Sequence, residues 1–121
     1  MLLDSHAAVW WLTGDPRLSA AAATAIEGHR GDLCISAASV WELEIKRAIG
    51  KFDGVALLDA LAGSAVGILD MTAGDAQAAA HLPPHHADPF DRMIVAQAIE
   101  RGLPLVTADV ALGAYDVRVI W

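Results

Sequence analysis

The sequence predicts an α/β sandwich around a mostly parallel sheet, and two observations carry that expectation. Short apolar runs alternate with stretches of helical period along all 121 residues, the pattern of strands joined by crossover helices. No Ser/Gly-rich linker, low-complexity tract or internal repeat interrupts the alternation. At this length and 55% hydrophobic content the chain suffices for one core and is too short for two ordinary domains, so one domain over residues 1–121 is expected.

The elements follow in order. "MLL" is a short strand closed by Asp4, and "SHAAVWWLTG" is a helix whose Ala7, Trp10 and Trp11 recur at i, i+3 and i+4. "DPRLSAAAATAIEGHRG" has a proline near its start, an alanine-rich middle and a glycine-flanked end, which predicts a second helix. "LCIS" is the next strand, in which Cys34 is a small packing side chain rather than a catalytic thiol. "AASVWELEIKRAIG" is a strongly periodic helix closed by Gly50. "VALLDALAG" reads as helix, "VGILDM" as strand, and "TAGDAQAAAHL" as helix with Thr72 as its cap. Asp88 to Arg101 is a long helix ended by Gly102. Asp88 followed by Pro89 suits an N-cap with proline at the first helical position, and Asp91 then falls at N3, within reach of the cap. "LPLVTAD" is a further strand ending in an acid, and "VRVI" is the terminal strand.

Charge narrows the function classes. The formal charge of −7, from 15 Asp and Glu against 8 Lys and Arg, argues against a passive nucleic-acid binder working through a basic surface. An enzyme whose carboxylates hold divalent cations stays open, because the ions then supply the positive charge that phosphates need. No apolar run reaches the roughly 18 residues of a membrane span, and "MLLDSHAAVWW" lacks the basic opening of a signal peptide. A cytoplasmic protein with no membrane association is expected.

In an open parallel sheet, ligands bind beyond the carboxyl ends of the strands. Asp4 and Asp109 fall near such ends, and so does Asp70, which also fits the turn into the helix capped by Thr72. Glu42 interrupts a largely apolar stripe formed by Ala38, Ile45 and Ile49, whereas Glu44 lies about 200° around the helix, on the surface. An i,i+4 ion pair with Lys46 and a functional role explain Glu42 equally well. Asp91 shares a face with Ile94, Val95 and Ala98, so it needs a partner against the cost of burying a carboxylate, and a metal ion would serve. His85 and His86 lack the helical spacing or paired cysteines of a zinc motif and read as loop residues rather than ligands. His6 reads as a capping or surface residue. Core packing is the expectation for Trp10, Trp11 and Trp41, with an interface role for one of the first two as the minority alternative.

Four stretches together, "LLDSHAAVWWL", "ISAASVWELEIKRAIGK", "LPPHHADPFDRMIVAQAI" and "LPLVTADVALGAYDVRVIW", resemble the PIN-domain ribonucleases, and within them the VapC-like toxins of type II toxin–antitoxin pairs. The resemblance implies a three-layer α/β/α domain with a mainly parallel sheet, and an acid cluster that binds Mg²⁺ or Mn²⁺ and hydrolyses RNA. By motif position it implies catalytic roles for Asp4, Glu42, Asp91 and Asp109. Asp4 and Asp91 would be the most direct metal ligands, Asp109 would complete the shell, and Glu42 would bind metal or position water. Ser5 stands where many relatives have threonine, Thr107 matches a hydroxyl residue that lines the site, and Asp88 is assigned to the helix cap. Lys46 and Arg92 are candidate phosphate contacts, with a simple Lys46–Glu42 ion pair equally open. The implied partners are an RNA substrate, a small cognate antitoxin and a second copy of the chain. Acids brought together would repel one another, raising some pKa values. Two other classes also fit acids at strand ends: a Mg²⁺-dependent phosphatase or receiver-like domain, and a non-catalytic acidic interaction module.

Overall fold

The computed structural model describes residues 1–121. Strands β1 (Leu2–Leu3), β2 (Cys34–Ser36), β3 (Gly67–Leu69), β4 (Leu105–Val106) and β5 (Val119–Ile120) form one sheet in the order β3-β2-β1-β4-β5. Every neighbouring pair is parallel. The strands match the apolar runs of the sequence, and their side chains alternate between two cores as the period of two requires. Leu3, Ile35 and Val106 enter one apolar cluster, while Leu2 and Leu105 enter the other. Apolar residues on both faces are the signature of a parallel sheet covered on both sides, and each fully buried aliphatic side chain contributes about 1.5–3 kcal/mol.

Helices α1 (Ser5–Thr13), α2 (Ala20–Gly28), α3 (Ala37–Ala48) and α4 (Leu57–Leu61) supply the first cluster through Ala7, Ala8, Ile26, Leu43, Leu57 and Leu61. On the other face α6 (Pro89–Arg101) contributes Ile94, Val95 and Ala98, and α5 (Ala73–Ala80) packs against α6. The result is the expected three-layer α/β/α arrangement. A 3₁₀ turn at Val110–Ala114, absent from the sequence expectation, brings Leu112 and, just after it, Tyr115 into the second cluster.

Helix starts follow the capping chemistry. Asp4, Ser19, Ser36, Thr72 and Asp88 each accept a backbone N–H of the first turn. Thr72 and Asp75 form a reciprocal capping box. The second helix begins at the Ser19 cap rather than near Pro16. Gly14 and Gly102 end their helices at φ 66° and 61°, where a side chain would be strained.

From β1 the chain builds outward to β2 and β3 on one side, then returns to add β4 and β5 on the other. The β1/β4 boundary is therefore a topological switch point, where crossovers leave on opposite faces and open a crevice beyond the carboxyl ends. Asp4 directly follows β1, and Thr107 directly follows β4.

Candidate functional site

Asp4 is buried, with its backbone N–H on the Val106 carbonyl at 3.0 Å and its Oδ1 accepting the Ala7 N–H at 2.7 Å. Burial pushes its carboxyl above the usual range; hydrogen bonds from Thr107 and the Ala7 N–H oppose that shift, and the Glu42 charge adds to it. The Ser5 hydroxyl donates to Glu42 Oε2 at 3.1 Å, and Lys46 Nζ donates to Glu42 Oε1 at 2.8 Å. The i,i+4 pair with Lys46 is therefore formed, and the other carboxylate oxygen of Glu42 faces Ser5.

Across the crevice lie Asp91 and Asp109. Asp91 does not reach back to its helix cap; Asp88 alone caps α6, accepting N–H bonds from Phe90 and Asp91 itself. The Asp91 side chain is left to face the site, where burial, then the charges of Asp88, Glu42 and Asp109, push its pKa up to about 6 against the opposing pull of His86. Asp109 heads the 3₁₀ turn, with Oδ1 on the Ala111 N–H at 3.1 Å and its own N–H on Thr107 Oγ1 at 3.1 Å.

His86 is not the bystander its loop position suggests. Its Nε2 lies 2.9 Å from Asp109 Oδ2 and 3.6 Å from Asp91 Oδ2, and ligand atoms of these three residues all fall within 4.8 Å of one another. Local spacing in the sequence carries no signal for this, because it depends on the loop returning across the start of α6. His85 conforms to expectation, exposed and edge-on to Tyr115.

Arg92 is a correction. Its guanidinium donates to the carbonyls of Ala79, Ala80, Leu82, Pro83 and His86 and to the Tyr115 hydroxyl. These bonds occupy the fork that a phosphate contact would need, so Arg92 clamps the loop before α6 instead. Lys46 keeps its place at the rim through Glu42. Asp70 is exposed outside the cluster, and its carbonyl accepts from Gln97. The Cys34 thiol is partly buried in β2 with its pKa raised by burial, as a packing residue should be.

Trp41 also departs from expectation. It is 57% exposed, edge-on to Phe90 with ring centroids 5.1 Å apart, because the buried side of α3 is taken by Ala38, Ser39 and Leu43. Trp11 packs partly buried against the first cluster, and Trp10 stacks between His6 and Trp121.

The PIN-domain family model matches residues 1–117. The chain belongs to the PIN-domain family. It is 41% identical over 114 residues to Ribonuclease VapC22 of Mycobacterium tuberculosis, covering 90% of this chain and 86% of the relative. Its fold is shared with a toxin–antitoxin complex from Klebsiella pneumoniae, at TM-score 0.70, 19% identity, 99% of this chain and 95% of that one. VapBC from Salmonella typhimurium bound to DNA aligns at TM-score 0.68 with 21% identity, over 98% of this chain and 94% of that one.

The donor chemistry of this PIN domain fits a divalent cation. Hard cations take oxygen ligands, and burial first, then the charges of Asp88, Glu42 and Asp109, disfavour the Asp91 carboxylate here. A cation would relieve that repulsion.

Proposed function

We propose that this PIN-domain protein is a divalent-metal-dependent endoribonuclease and the toxin of a toxin–antitoxin pair. The observation that supports the reading is the approach of acids from separate segments: Asp91 and Asp109 lie with His86 within 4.8 Å of one another, and the Glu42 charge acts on both Asp4 and Asp91. The likeness to Ribonuclease VapC22 supports RNA as substrate, and the complexes among its structural relatives support a small antitoxin partner. Helix α3 leaves Trp41, Ile45 and Ile49 exposed at i, i+4 and i+8, an apolar stripe suited to a protein contact, in keeping with a homodimer. No helix is long and apolar enough to cross a membrane.

Asp4, Asp91 and Asp109 would hold Mg²⁺ or Mn²⁺. When bound, such an ion supplies Lewis acidity toward the phosphodiester and a lowered pKa for the attacking water. Glu42, held at one oxygen by Ser5 and at the other by Lys46, would bind the metal directly or position a water. Thr107 lies beside both strand-end acids, favouring the charged form of Asp4 and accepting the Asp109 N–H at its Oγ1. Lys46 balances Glu42 charge at the rim where the RNA backbone approaches.

The test is cleavage of a mixed cellular RNA pool by the purified protein, freed of any inhibitor, with Mg²⁺, Mn²⁺ or EDTA. Discrete metal-dependent fragments are expected from wild type. Asp4→Asn and Asp91→Asn should each lower the rate by at least about a hundredfold, the upper end of what changes outside the ligand set cost. Equal cutting by the variants would refute the acid site.

A further inference from the structure

His86 is bonded at every polar atom, and the pattern of donors fixes what its ring can do. Its Nδ1 lies 3.2 Å from the Asp88 backbone nitrogen, which can only donate. In the neutral ring Nδ1 therefore carries the lone pair and Nε2 carries the proton. That Nε2–H points at Asp109 Oδ2, 2.9 Å away, while Asp91 at 3.6 Å is beyond a good hydrogen bond.

We propose that His86 is a positioning residue, donating from Nε2 to hold the Asp109 carboxylate, and is not itself a metal ligand; this rests on the metal-site reading above. Ligation through Nε2 would require the proton to move to Nδ1, where it would face the Asp88 N–H, donor against donor. The backbone makes that shift costly, since the ring is held from both ends. The His86 N–H donates to the Tyr115 hydroxyl at 3.0 Å, its carbonyl accepts from Arg92 at 3.2 Å, and Tyr115 is anchored in turn on the Pro83 carbonyl at 2.8 Å.

Asp109 needs such a brace. It sits on a short 3₁₀ turn, its side chain is 41% exposed, and its Oδ1 is tied only to the Ala111 N–H. With His86 on Oδ2, both oxygens are fixed and each retains a free lone pair for a cation. Partners of this kind orient metal-binding carboxylates, and losing them costs about 10–100-fold in metal affinity.

Two measurements on the full chain decide the matter. Long-range ¹H–¹⁵N correlation spectra of the metal-free wild type at neutral pH should show the His86 proton on Nε2; a proton on Nδ1 would overturn the proposal without any variant. Mn²⁺ affinity, read without RNA from the paramagnetic resonance of free Mn²⁺, should fall about tenfold or more in His86→Ala and His86→Asn. His86→Gln, whose amide N–H reaches the Nε2 position, should stay closer to wild type than to His86→Ala. Equal affinity in wild type and His86→Ala would sink the positioning role, as would a directly bound ¹⁴N in the spin-echo spectrum of Mn²⁺-loaded wild type that His86→Ala removes. A wild type that binds no Mn²⁺ at all would overturn the metal-site reading itself, and the role of His86 with it.

Discussion

Asp91 is held protonated further up the pH scale than an ordinary aspartate, because burial and three neighbouring acids disfavour its charge. The consequence for stability has a definite sign. A carboxyl whose folded pKa is about 6, against 3.8 when unfolded, stabilises the fold most below pH 4, and that contribution is lost as pH rises through 6. The metal-free protein should lose at most about 3 kcal/mol between pH 4 and pH 7 from this group, with Asp4 acting in the same direction. Asp91→Asn should flatten the dependence and raise metal-free stability at pH 7, as urea titrations at the two pH values would show; an unchanged slope would mean that Asp91 is solvated. Residue-level detail was the least legible part of the sequence. The acids stood out because each follows an apolar run or interrupts an apolar face, whereas the roles of His86 and Arg92 depend on a loop returning across a helix start, which no local spacing encodes.

At the scale of elements, the stretch "LPPHHADPFDR" behaves as one unit. Asp88 caps α6 and sets the His86 tautomer, while Arg92, one turn into the helix, gathers the Ala79 and Ala80 carbonyls at the end of α5 and those of Leu82, Pro83 and His86 in the loop that follows. A planar guanidinium does this and an ammonium does not. Arg92→Lys should therefore fail to restore what Arg92→Ala loses, about 2–4 kcal/mol by denaturant unfolding, since several partly buried carbonyls are left without donors. Full rescue by lysine would show that charge alone matters there. A second clamp ties α5 to α6: Arg101 meets Asp75 at 2.9 Å on each oxygen, and Gln97 adds a bond at 3.2 Å. The Asp75 carboxyl is held well below the usual range, chiefly by Arg101, so its contribution is present above pH 4 and disappears as pH falls below that. Asp75→Ala should cost about 2–4 kcal/mol at neutral pH by taking the carboxylate from Arg101 and leaving Gln97 Nε2 only the Asp70 carbonyl, and the loss should shrink at pH 2. The sequence announced the Thr72 cap but not this ion pair, because Asp75 and Arg101 lie 26 residues apart on helices whose facing could not be read from either alone.

The whole molecule follows from its parallel sheet. The central strands, buried on both faces, and the more exposed edge strands β3 and β5 all appear as short apolar runs, and the strand order put the crevice between β1 and β4. What the sequence could not show is how closely the acids approach. In the structure the titratable side chains that come within 4.8 Å of one another are His86, Asp91 and Asp109, while the Glu42 charge bears on both Asp4 and Asp91. Such a site is an electrostatic liability in the metal-free state, so cation binding and folding should be coupled. Mn²⁺ at a hundred times its dissociation constant adds about 2.7 kcal/mol to a fold that alone binds it, which for a chain of this size raises the melting temperature by about 10 °C. The shift should be absent in Asp91→Asn and should weaken as pH falls below 6, where protons compete for the same carboxylate. A shift that survives Asp91→Asn unchanged would place the cation elsewhere on this acidic surface and detach stability from the switch-point site.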